Sequence, residues 1–83
     1  MTVHEFSGYS YETQYQMLRQ RGVFLMTRST KYAWVVLFAF DGFYVEVAQA
    51  RGSGKIRFIR SFTYIQGIAP YLSLININPV LNN

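Results

Sequence analysis

Acid–base chemistry needs ionisable side chains brought together, and this chain has few to bring. His4, Glu5, Glu12, Asp41 and Glu46 are all of its imidazole and carboxyl groups. Asp41 precedes Gly42 and suits a turn. Glu12 suits the first turn of a helix, and His4 stands alone near the start of the chain. One histidine without a close carboxylate pair makes no metal-ligand set. With no Cys in the chain, disulfides, thiolate zinc sites and thiol catalysis are excluded. We therefore expect no catalytic residue, no metal and no cofactor.

Glu46 is the exception to weigh, because it lies inside the strongly apolar run FYVEVAQA. A straight strand register sets it opposite Ile59, with Arg57 on a diagonal. The expected role is a cross-strand ion pair, worth a few tenths to about 1 kcal/mol. The functional alternative is a polar spot in a binding groove beside Tyr44 and Arg57.

Two nucleotide motifs fail. RGSGK ends like a phosphate loop, but Gln49 occupies the first glycine position and Ile56 replaces the required hydroxyl. DGFYV departs from the RNA-recognition signature at Asp41, Tyr44 and Val45. That module also needs helices between its strands, and the 20 residues from Phe43 to Phe62 leave no room for one.

The elements that must position these residues follow from periodicity. Residues 1–9 read as a loose arm that Val3 and Phe6 could anchor. SYETQYQMLRQRG reads as a helix capped by Ser10, with Glu12 near its positive end and Arg19 and Arg21 near its negative end. Gly22 would close it in a left-handed conformation, and Tyr11, Tyr15 and Leu18 would form its inward stripe. VFLMTR, YAWVVLFAF, FYVEVAQA and KIRFIRSF then read as four strands of an antiparallel meander. Asp41-Gly42 suits a type I′ hairpin and sets Phe40 opposite Phe43, Phe38 opposite Val45, Val36 opposite Val47 and Trp34 opposite Gln49.

A tight Gly52-Ser53 turn would add Ile56, Phe58, Arg60 and Phe62 to that bulky face, which we assign to the core beneath the helix. Lys55, Arg57, Ile59 and Ser61 would join Val35, Leu37, Tyr44 and Glu46 on the other. Pro70 fits the first turn of a short C-terminal helical segment. The fold class is α+β, in one small domain spanning 1–83.

RGVFLMTR, LFAFDGFYVEV, IRFIRSF and APYL, in that order, resemble a family of short bacterial proteins of unassigned function. The resemblance covers roughly residues 15–72 and implies a compact bacterial α+β domain. It implies no activity and carries over no functional residue.

Composition narrows the function. Scaling of accessible area predicts that roughly 64% of the unfolded surface of such a chain is buried on folding, a thin margin that association often widens. Charged residues are 14% and hydrophobic ones 51%, which leaves more apolar surface than a tiny core absorbs. The leading expectation is a non-enzymatic interaction module acting as a homodimer. Its interface would be the second sheet face, with Val35, Leu37, Tyr44, Glu46, Arg57 and Ile59, or an open edge strand.

The net charge of +4 also suits nucleic acid or an acidic protein, through Arg28, Lys31, Lys55, Arg57 and Arg60. A third reading is a small-ligand pocket between helix and sheet, lined by Tyr11, Tyr15, Trp34 and Phe58. The longest apolar run, YAWVVLFAF, is nine residues, against about 20 for a membrane helix, so no membrane partner is expected. MTVHEFSG has neither a basic nor an apolar leader region, and a cytoplasmic location is expected.

Overall fold

A computed structural model describes residues 1–63. Two helices, α1 (Val3–Ser7) and α2 (Tyr11–Arg21), precede strands β1 (Val23–Ser29), β2 (Ala33–Phe40), β3 (Phe43–Ala50) and β4 (Ile56–Phe62). The strands form one antiparallel sheet in the order β1-β2-β3-β4. This is the expected α+β meander with its N-terminal helix. The C-terminal segment around Pro70 lies outside the described residues.

The β2–β3 hairpin forms as its sequence dictates. Asp41 and Gly42 take φ of 48° and 86°, the two positive values of a type I′ turn. All four expected pairs, from Phe40 with Phe43 to Trp34 with Gln49, are present. The first sheet face carries the main core: Phe40, Phe43, Val45, Val47 and Ile59 pack with Phe6 of α1 and Leu18 of α2.

Residues 1–9 are more ordered than a loose arm. Thr2 and Glu5 form a reciprocal capping box around the start of α1, satisfying amides that a five-residue helix cannot pair internally. Phe6 is fully buried. Its ring lies 5.2 Å from that of Phe40 and 5.7 Å from that of Phe43. The Ser7 and Ser61 hydroxyls meet at 2.9 Å and tie α1 to β4.

Ser10 caps α2 by accepting from the Thr13 amide at 3.2 Å. The buried stripe differs from Tyr11, Tyr15 and Leu18: Tyr11 is exposed, Tyr15 is half-buried, and Gln14 is buried with Leu18. Gln14 can be inside because its amide donates to the Tyr9 carbonyl at 2.8 Å, which meets the cost of burying it. Gly22 has φ −76° and ψ 151°, extended rather than left-handed. Its need is spatial, since a Cβ there would sit 2.6 Å from the Leu18 carbonyl oxygen.

The largest correction concerns β4. Gln49 pairs with Ile56 as a straight hairpin requires, but the next pair is Ala48 with Phe58. Arg57 is the extra residue of a β-bulge. One added residue turns every later side chain to the opposite face. Ile59 and Ser61 therefore pair with Val47 and Val45 over the main core, while Phe58, Arg60 and Phe62 pair with Ala48, Glu46 and Tyr44 on the second face.

β1 carries a matching irregularity. Phe24 pairs with Phe38, but Met26 pairs with Leu37 and Arg28 with Val35, leaving Leu25 extra. Trp34 has its expected partners but lies beyond the helices' cover and is 45% exposed. Phe6→Ala is expected to cost about 3–5 kcal/mol in urea denaturation. Tyr11→Ala should stay within about 0.5 kcal/mol of the parent.

Candidate functional site

Both bulges act on the same side chain. Glu46 is 1% exposed, in the middle of the second sheet face. The bulge at Arg57 puts Arg60 directly opposite it. The irregularity at Leu25 turns Arg28 to that face from the other flank. Arg60 Nη2 lies 3.0 Å and Nε 3.1 Å from Glu46 Oε1, and Arg28 Nη2 lies 3.4 Å from Oε2. A carboxylate taken out of water loses several kcal/mol of hydration. Two guanidinium groups, one on each oxygen, are a direct answer to that loss.

Around the triad the second face is packed. Ala33, Val35, Leu37 and Ala48 are buried, with Met26, Tyr44 and Phe62 packed against them. The Tyr44 and Phe62 rings stack at 5.8 Å, and the Arg60 guanidinium lies 4.7 Å from the Phe62 ring centre. With both carboxylate oxygens engaged, the arrangement is an ion-pair network. It is not an acid–base centre poised over a cleft.

Of the six residues expected at an interface, Val35, Leu37, Tyr44 and Glu46 do share one face. Val35 and Leu37 are 2% and 3% exposed, so they are interior residues of this chain. Ile59 belongs to the main core on the opposite face, and Arg57 is the exposed bulge residue at the rim. The expected neighbours of Glu46, Ile59 and Arg57, are replaced by Arg60 and Arg28. A cue to this was present in the chain: a straight register buries Arg60 in the apolar core beneath the helices, which is costly without a partner.

The other two sets also divide. Tyr15 packs against the main core, Tyr11 and Trp34 are exposed, and Phe58 is on the second face. These four do not line one pocket. Among the basic residues, Arg28 and Arg60 hold Glu46. Lys31 lies in the β1–β2 connection, Lys55 just before β4 and Arg57 at the bulge.

Among the described residues, two surface depressions stand out. One of about 630 Å³ lies beside Glu5, Tyr9, Arg21 and Asp41. Its charges are largely matched internally: Arg21 approaches Asp41 at 3.9 Å and Glu5 accepts from the Thr2 amide. The other, about 350 Å³, lies on the second face at the far end of the sheet. Ala33, Val35 and Ala48 form its floor, and Tyr32, Phe58, Arg28 and Arg57 its walls. Among the described residues no three His, Cys, Asp or Glu side chains cluster as a metal site would require, and no helix is long and apolar enough to cross a membrane.

No protein-family model, no curated protein and no solved structure matches the chain. The resemblance to short bacterial proteins rests on its sequence motifs alone.

Glu46→Ala is expected to cost about 3 kcal/mol, the low end for breaking a buried ion pair, since half-exposed Arg60 can turn to water. Replacing Arg28, Glu46 and Arg60 together by Met, Leu and Leu should recover most of that loss in urea titrations.

Proposed function

We propose that this chain is a non-enzymatic interaction module acting as a homodimer, in the bacterial cytoplasm. The observation that carries the reading is the outer strand β1. Val23, Phe24 and Leu25 are consecutive, apolar, and 60%, 57% and 42% exposed. Among the described residues β1 pairs only with β2, so its outer edge adjoins this patch. In the monomer much of this run stays in water, whereas a second copy would bury it.

The bulge at Leu25 refines the mode of contact. Bulges interrupt a continuous ladder and blunt an edge against open-ended strand addition. A closed, two-fold contact suits that geometry, with each patch meeting the same patch of its partner. Phe24 stands at its centre, edge-on to Phe38 at 6.4 Å between ring centres, and would be the anchor. This moves the interface from the centre of the second face, where Val35 and Leu37 are already buried, to the margin of the sheet.

Sedimentation velocity over a hundred-fold concentration range should show a monomer–dimer equilibrium. Phe24→Lys should shift it to monomer with little change in unfolding stability. A parent protein that stays monomeric at every concentration would end this reading.

A further inference from the structure

The charges of this protein are segregated along the sheet. The β1–β2 and β3–β4 connections lie side by side at one end: the Arg51 amide donates to the Tyr32 carbonyl at 3.4 Å, and Arg51 Nε to the Thr30 carbonyl at 2.9 Å. Lys31, Arg51, Lys55 and Arg57 all belong to this end. Among the described residues no unpaired carboxylate side chain joins them there. Glu5 caps α1, Glu12 starts α2, Asp41 sits in the turn at the other end of the sheet, and Glu46 is buried. Four of the eight cations thus occupy one end. The remaining four, Arg19, Arg21, Arg28 and Arg60, are balanced by the four acids, so the formal balance is +4 against 0, summing to the chain's +4.

The same end carries three exposed aromatic residues. Tyr32 is 66%, Trp34 45% and Phe58 40% exposed. They are interleaved with the cations: the Arg51 guanidinium lies 4.5 Å from the Trp34 ring centre and Lys31 Nζ 5.7 Å from that of Tyr32. Phe58 and Tyr32 wall the 350 Å³ depression together with Arg57. Trp34 lies on the opposite face, so aromatic surface is offered on both sides of the basic rim.

We infer that this end of the sheet binds single-stranded nucleic acid. Cations without nearby carboxylates match phosphates, and exposed rings beside them match unstacked bases, which present a π-face whatever their sequence. An acidic peptide would use the cations but leave the rings idle. A paired duplex keeps its bases stacked and could offer them nothing. The dimer patch is at the opposite end of β1, so the two surfaces are separate.

The test uses the full chain with labelled 15-mers of deoxythymidine and of uridine, read by anisotropy, with Trp34, the chain's one tryptophan, as a second fluorescence readout. Binding at low salt with quenching of Trp34 is expected. About four phosphate contacts give a slope of about −3 against log salt, so quadrupling the salt weakens binding about 60-fold. Phe58→Ala and Trp34→Ala should each weaken it about ten-fold, and Phe24→Lys should leave it unchanged. No binding at low salt overturns the inference. So does equal binding of duplex, polyglutamate or phosphatidylglycerol vesicles, or strand binding that neither aromatic variant weakens.

Discussion

The buried carboxylate of Glu46 is the constraint that the rest of the sheet accommodates. It lies on a central strand, between apolar neighbours, where water cannot solvate it. The cations that offset its desolvation come from the two outer strands, and a straight register would point both of them elsewhere. Each outer strand carries one extra residue, Leu25 in β1 and Arg57 in β4, and each extra residue turns an arginine toward Glu46. An ion pair is weak evidence for net stability. Here its consequence is structural, because it goes with a particular register in both flanking strands.

That register also partitions the apolar residues. On one face Phe6, Leu18, Phe40, Phe43, Val45, Val47 and Ile59 form the main core under the helices. On the other, Val35, Leu37 and Ala48 form a smaller cluster with Met26, Tyr44 and Phe62. Without the bulge in β4, Ile59 would leave the first group and Phe62 the second. The aromatic cluster of Phe6, Phe40 and Phe43 lies at the tight-hairpin end of the sheet, where Arg21 also lies over the Phe40 ring at 5.0 Å. The short helices contribute less by their own propensity than by the few side chains they insert.

Both halves of the sheet are therefore occupied at their centres, and the accessible chemistry is displaced to the margins. The start of β1 exposes aliphatic and aromatic carbon with little charge. The opposite end exposes aromatic rings among cations. These surfaces differ in what they can recognise: the first offers area for a self-complementary contact, the second a salt-sensitive field with stacking planes. Neither resembles a catalytic cleft, since the one buried acid has both oxygens held by arginine.

Local information was enough for much of this. Asp41-Gly42 determined the hairpin and the pairing of β2 with β3, because only residues tolerant of positive φ make that turn. Ser10 marked the start of α2, and the alternation of Phe38, Phe40, Phe43 and Val45 identified the core face. The composition also carried the excess of cations and the scarcity of acids. The faces of the outer strands, the partners of Glu46, the burial of Gln14 and the exposure of Trp34 were decided only in three dimensions. A bulge shifts a strand by one residue, and residue types near Leu25 and Arg57 barely distinguish the two registers. The choice is non-local: it follows from where a buried charge finds its partners across the sheet, and from how far two short helices extend over it.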